Sequence, residues 1–234
     1  PFLAVVSYDE PHGPCTCPPE YAERFRDFQY DLGPGALDDL ADKPAHHRLW
    51  AGGENRNAHT RMTSPMYFGC NSFVDHEIGR LLDAIESGPN AGSTIVVLWS
   101  DHGYHHGEKF DWGKHTLWER TSNVPFLWAG PGIARDASVD ATVSLVDMFP
   151  TLVDLCGVDD GQARDGLSLA PVLRNPGIAR DRHVLLPGLR PEEYAIINRE
   201  WRYIHYADGT EELYNVKDDP NEWYNLLTAG GGHD

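Results

Sequence analysis

Residues 94–103 read TIVVLWSDHG, an apolar run that ends directly on Ser100, Asp101, His102 and Gly103. A short, β-branched, continuously apolar segment is the pattern of a strand buried on both faces. Open α/β sheets hold their ligands just beyond the carboxyl ends of such strands, so Asp101 and His102 stand where chemistry is expected. An oxygen donor beside a nitrogen donor suits a divalent cation. The plainer alternative is a turn capped by Asp101 with His102 on the surface, because so short a match is a weak signal.

Upstream, Ser64 and Pro65 form an N-cap and first-turn pair, and Cys70, Val74, Ile78, Leu81, Leu82 and Ile85 follow at helical spacing to a Gly88-Pro89 stop. A helix feeding a strand is half of a parallel crossover unit. Residues 2–7 (FLAVVS) and 124–129 (VPFLWA) read as two further strands, and 144–156 (SLVDMFPTLVDLC) as a helix that Gly157 ends. Between about 31 and 62 there is no sustained period and many breakers, which predicts a long surface excursion that includes His46 and His47. After residue 185 the character changes. The short aromatic runs YAIIN (194–198), WRYIHY (201–206) and ELYNV (212–216), separated by Asp208-Gly209 and Asp219-Pro220, predict a small antiparallel sheet.

A chain of 234 residues with 41% hydrophobic and 11% aromatic content can bury a real core. The formal charge of −17 argues against nucleic acid as a partner and means that an anionic substrate must be attracted locally, by a cation or a few basic side chains. No apolar run is long enough to span a membrane. The four cysteines, Cys15, Cys17, Cys70 and Cys156, match neither a disulfide framework nor a paired zinc motif, so the compartment stays open. The apolar run begins at once after Pro1, with no initiator Met, which reads as a chain whose natural beginning is missing.

The continuation of the central motif, GYHHGEKFDWGKHTLWERTSNVPFLWAGPGI (103–133), carries a Gly- and His-rich loop to Lys114 and on to the next strand. This order, S-D-H-G, then W-G-K-H-T-L-W-E, then V-P-F-L-W-A-G-P-G, resembles the sulfatases of the alkaline-phosphatase superfamily, in particular the branch that includes iduronate-2-sulfatase and its bacterial relatives. The resemblance extends over most of the chain outside the excursion after residue 30. It implies an α/β fold: part of an alkaline-phosphatase-like α/β/α sandwich with a mainly parallel sheet over 1–185, followed by a small antiparallel α+β subdomain over 186–234.

For the site, the resemblance implies that Asp101 and His102 ligate a metal, calcium in the family, with magnesium or manganese also compatible with the donors. It maps the sulfate-binding lysine onto Lys114, and a Pro-His just past the first strand onto His12, a candidate general acid. His115 beside Lys114, and His106, are substrate-contact candidates, although a solvated loop is the plainer place for His105 and His106, as for Glu108 and Asp111. The family's nucleophile is a formylglycine made from the Cys of C-x-P-S-R, and two further metal carboxylates lie near its amino terminus. Neither is present. Cys17-Pro18-Pro19-Glu20-Tyr21 has Glu and Tyr where Ser and Arg belong. The nucleophile is therefore expected in a missing amino-terminal half of the same enzyme.

The implied activity is hydrolysis of a sulfate monoester on a sugar or small molecule, in a periplasmic, secreted or lysosome-like compartment. A phosphodiesterase or phosphonate hydrolase of the same superfamily and a non-catalytic fragment remain as alternatives.

Overall fold

A computed structural model describes residues 2–32, 39, 41–43, 55–158, 161–178 and 182–228, the side chains of 55–64 excepted. His46 and His47 lie outside the described residues. The described residues fall into two compact units, one within 1–33 and 52–92 and the other within 34–51 and 93–234.

The first unit is built on a long helix. Helix α1 (Pro19–Glu23) starts with proline at its first position, where the missing N–H costs nothing. Helix α2 runs Asn55–Glu86 with Pro65 inside it. The sequence predicts a start at Ser64–Pro65, but the helix begins at Asn55, so residues 55–62 belong to it and not to the excursion. A proline signals a first turn, yet it removes only one ladder bond when the helix on both sides is intact. The two helices pack closely: a Cβ on Gly69 would stand 2.7 Å from the Ala22 Cα, and the Tyr21 ring meets Phe73 edge-on at 5.4 Å. Phe25, Phe28 and Tyr30 close around Phe68, with centroid distances of 5.9, 4.8 and 6.1 Å.

Residues 2–7 are not a strand among the described residues. They make no ladder and leave Phe2, Leu3 and Val5 exposed. Alternation or apolarity creates a strand only when a neighbouring edge offers hydrogen-bond partners.

In the second unit, β1 (Val96–Trp99) pairs antiparallel with β4 (Phe126–Ala129), in register from Val96 opposite Ala129 to Trp99 opposite Phe126. The parallel part of the expected sheet is thus not contained in this pair. The connection through residues 100–125 returns to the same end of β1 and never crosses over, which gives antiparallel neighbours. That connection holds the hairpin β2 (His105–His106) and β3 (Trp112–Gly113) and the short helix α3 (Glu119–Ser122). The predicted 144–156 helix appears as a 3-10 turn, Leu145–Asp147, running into α4 (Met148–Leu155) and ending at Gly157 with φ of 64°. A capping box between Ser144 and Asp147 starts it. The buried Asp147 carboxylate also takes the Leu167 N–H and the Arg182 guanidinium, each at 2.8 Å, tying the segment before α5 (Ala170–Arg174) to it.

The carboxyl-terminal sheet is antiparallel as expected. Its order is β5 (Val184–Pro187), β6 (Tyr194–Ile197), β7 (Trp201–His205), β8 (Glu211–Asn215). Strand β5 adds a fourth strand to the three that the aromatic runs predict. The period-two alternation turns Arg202 and Ile204 of β7, and Glu212 and Tyr214 of β8, to the buried face. That face shares one core with Leu117 and Trp118 of the preceding connection, together with Ala195, Ile204, Tyr206 and Tyr214. Burying each large apolar side chain there stabilises by roughly 2–3 kcal/mol. No helix among the described residues is long and apolar enough to cross a membrane.

Candidate active site

Strand β1 delivers the central motif through a tightly bonded turn. Ser100 N–H continues the pairing to Pro125 O at 3.3 Å, and its hydroxyl donates to His102 O at 2.8 Å. Asp101 Oδ1 accepts the His102 N–H at 3.0 Å. Local side-chain bonds of this kind fix a turn that neither helix nor sheet could hold. The Asp101 carboxylate is left 82% exposed, and its Oδ2 lies 3.5 Å from His102 Nε2. His102 Nδ1 is 2.8 Å from Gly103 O. A carbonyl only accepts, so Nδ1 carries a proton, and Nε2 is the ring nitrogen on the carboxylate side. A backbone carbonyl holding Nδ1 in this way orients a ring so that Nε2 can ligate a metal. One oxygen donor and one nitrogen donor therefore converge in a form that fits a divalent cation. Among the described residues no third Asp, Glu, His or Cys joins them.

Gly103 then passes so close to the next segment that a Cβ would stand 2.0 Å from Arg120 O, while its N–H donates to Thr121 O at 2.9 Å. Glycine is required here by close backbone approach. The turn is thus stitched to α3, the helix that follows the Lys114 loop.

Lys114 is half-buried and makes no ion pair or hydrogen bond among the described residues; His115, next to it, is exposed with φ of 73°. Thr116 ties this loop inward: its hydroxyl bonds His105 Nε2 at 2.9 Å and the Thr121 hydroxyl at 2.8 Å. His105 and His106 are buried, against the expectation of solvated loop histidines. The β2–β3 hairpin folds them inward, where His105 stacks edge-on to Trp118 at 5.9 Å and His106 lies against Tyr104 at 5.2 Å. Burial, reinforced by Lys43, Lys109 and Arg120, lowers the His105 pKa to about 3, and burial lowers that of His106 as well. Both rings stay neutral at physiological pH. Glu108 is likewise buried, not solvated. It accepts the His106 N–H at 2.7 Å and faces Arg120 at 3.3 Å.

The charged residues that hold this loop come from segments distant in sequence. Lys109 at the hairpin tip adopts φ of 57°, a conformation disfavoured for a residue with a Cβ. Its ammonium is anchored by Asp39 at 2.7 Å, the Tyr214 hydroxyl at 3.4 Å and the Glu222 carbonyl. Asp39 and Lys43 are buried, so this part of the expected surface excursion is interior. Burial outweighs the attraction of Lys109 and raises the Asp39 pKa to about 6; burial lowers that of Lys43 to about 8.

Arg202 of β7 donates to Leu117 O at 2.7 Å and the Ser122 hydroxyl at 3.0 Å, and pairs with Glu119 and, at 2.6 Å, with Glu222. Glu222 Oε2 also accepts the Glu119 N–H at 2.9 Å. Glu212 accepts from Trp118 Nε1 at 2.7 Å and from the Tyr206 hydroxyl at 3.0 Å. Its full burial raises its pKa to about 7. The carboxyl-terminal sheet thereby grips both sides of the segment that carries Lys114. The alternation in WRYIHY and ELYNV could have flagged Arg202 and Glu212, since it places charges beside Ile204 and Tyr214 on one face. No local signal marks Lys109 or Glu222.

His12 belongs to the other unit. It sits exposed in a turn closed by its own N–H to Asp9 O at 2.8 Å, with Nδ1 donating to Gly13 O at 3.0 Å, so that Nε2 is the ring atom left outward.

The pattern described as Sulfatase matches residues 1–158, and N-sulphoglucosamine sulphohydrolase, C-terminal, matches residues 106–231. This chain belongs to the sulfatase family. A sulfatase of Formosa agariphila is 34% identical over 96% of the chain and 46% of its own length. YidJ of Escherichia coli, an uncharacterized sulfatase, is 35% identical over 97% of the chain and 47% of its own length. The chain spans about half the length of these curated relatives.

Among solved structures, the phosphonate monoester hydrolase of Agrobacterium radiobacter matches with a TM-score of 0.74, at 21% identity, over 94% of the chain and 51% of its own. A protein in complex with its substrate D-glucosamine-2-N,6-O-disulfate matches with a TM-score of 0.72, at 19% identity, over 94% of the chain and 60% of its own. At these identities the likeness speaks for the fold, which is the alkaline-phosphatase-like α/β class with its antiparallel carboxyl-terminal sheet.

Proposed function

We propose that the protein carrying this chain is a sulfuric ester hydrolase to which the chain contributes Asp101 and His102 as metal ligands, Lys114 as the sulfate-binding cation and His12 as general acid. The observation that carries the reading is the His102 ring, whose Nδ1 proton is committed to Gly103 O while Nε2 faces the Asp101 carboxylate. A hard oxygen donor favours calcium, with magnesium or manganese next. When bound, the cation would polarise the nonbridging sulfate oxygens.

Lys114, with no competing carboxylate bonded to it among the described residues, supplies a compact positive charge for a tetrahedral anion. In a chain of formal charge −17 such a local charge is what draws an anionic substrate in. His12, its Nδ1 proton held by Gly13 O, can carry a second proton on Nε2 and release it to the departing alcohol oxygen. His115 is accessible for contacts beyond the sulfate. His106 can reach substrate only if its buried ring moves.

The formylglycine nucleophile and the remaining metal carboxylates come, on this reading, from an amino-terminal half of the same enzyme. The neighbour solved with a disulfated glucosamine supports a sulfated sugar or small alcohol as substrate. The phosphonate hydrolase neighbour supports a second reading, a phosphorus ester on the same scaffold.

The test is turnover of an aryl sulfate against an aryl phosphonate by the full-length protein and its Lys114→Ala variant. A preference for the sulfate, with kcat/KM down on the order of 10²-fold in the variant, is expected. A preference for the phosphonate favours the second reading, and no turnover of either ester contradicts both.

A further inference from the structure

Three of the four cysteines meet, although they are far apart in the sequence. Cys15 and Cys17 flank Thr16 in the loop before α1, and Cys70 lies on α2. The Cys17 sulfur is 3.1 Å from where a Cβ on Gly69 would stand, beside the wholly buried Cys70. Cys70 interacts with both Cys17 and Cys15, and Cys15 with Cys17. Cys15 in addition donates to Pro11 O at 3.2 Å, so the turn that carries His12 is bonded to the same trio. The approach is set by packing: Gly69 admits the backbone of α1, and Arg24 reaches Ser72 at 3.3 Å. A thiol trio could serve a soft metal, but among the described residues no three Cys, His, Asp or Glu groups are arranged to hold one ion. Three thiols gathered this closely, with the Cys17 sulfur against the residue next to Cys70, are instead suited to oxidation.

The geometry points to Cys17 and Cys70 as a dithiol that closes to a disulfide, stapling the segment after His12 to α2. The more exposed Cys17 thiolate attacks one sulfur of a small-molecule disulfide such as oxidised glutathione, expelling one thiolate and forming a mixed disulfide. Cys70 then loses its proton and attacks the Cys17 sulfur, forming the protein disulfide and expelling the second thiolate. Both leaving thiolates take up a proton, so two protein thiols are oxidised while one disulfide is reduced. Burial and the neighbouring Cys17 raise the Cys70 pKa to about 12, which makes the second step the slow one. The reading does not depend on the proposed catalytic activity.

The test is oxidation of the native full-length protein by oxidised glutathione, then alkylation of the remaining thiols, digestion and mass spectrometry. A peptide containing Cys15 and Cys17 joined to the Cys70 peptide is expected, with the about 2 Da loss that disulfide closure entails. The link should vanish in Cys17→Ser and persist in Cys15→Ser, both at partly exposed positions that leave the buried Cys70 in place. Full alkylation of Cys70 after oxidation, a Cys15–Cys17 loop, or glutathione adducts without any link to Cys70 would each overturn the proposal, as would a link that survives Cys17→Ser.

Discussion

The carboxyl-side unit holds two sets of charges that follow opposite rules. The Asp101 side chain is 82% exposed and shares only its neighbour's N–H and ring, whereas Arg202, Glu212, Glu222 and Lys109 are at most 1% exposed and are bonded to buried side chains or nearby backbone. A buried ion pair rarely adds net stability over a well-packed apolar pair, but breaking it is costly. The second set therefore reads as scaffold, and the first is left accessible for the metal-binding role proposed for it. Arg202, Glu222 and Lys109 hold the 105–122 segment, which in turn holds the Asp101 turn through Gly103. The Asp101 carboxylate stays accessible because the restraint is applied from behind.

This contrast is easiest to break at Arg202. Arg202→Met strands Glu119 and Glu222, and is expected to lower the unfolding free energy by about 3–5 kcal/mol in urea titrations of the intact protein. Adding Glu222→Gln should recover part of that loss, because the two groups are coupled. Asp101→Asn, by contrast, should leave stability within about 0.5 kcal/mol. Equal effects from Arg202 and Asp101 would erase the distinction.

Gly103→Ala probes the link between the two sets. A methyl group 2.0 Å from Arg120 O cannot fit, so turn and α3 must separate. A stability loss of about 1–3 kcal/mol is expected, together with a fall in kcat/KM on the order of 10²-fold from misplacement of the turn. A stability loss with unchanged kcat/KM would show that α3 does not position the turn.

Glu212 gives the smallest expected effect, one of pH dependence. Its pKa is raised to about 7 by burial, so the folded state binds its proton more tightly than the unfolded chain does. Its contribution to stability is complete below the ordinary carboxylate range and is lost as pH rises toward 7. Stability measured from pH 4.5 to 7.5 should fall less steeply for Glu212→Gln than for the wild type, and parallel curves would contradict the assignment. His105, neutral by burial, acts with the opposite sign: its contribution is present above about pH 6.5 and is lost as pH falls toward 3.

The sequence made the candidate site residues legible and hid most of the scaffold. Asp101, His102 and Lys114 announce themselves because a strand end, a glycine and a family pattern bracket them. The antiparallel sheet was readable from its turn residues and alternation, although β5, with Pro187 at its end, was not. Burial of Glu108, Lys109, His105 and His106 could not be read, because polar loop residues become interior only through a distant sheet that supplies their partners. Helix α2 began nine residues early, with Asn55 in place of Ser64, because Pro65 reads as a first-turn residue when only local sequence is considered.

The claim that Asp101 and His102 are metal ligands meets its most direct test in calcium titration calorimetry of the full-length protein and of Asp101→Asn. The account predicts wild-type binding that weakens by at least about tenfold in the variant while the protein stays folded. An unchanged calcium affinity in a folded Asp101→Asn protein would contradict it.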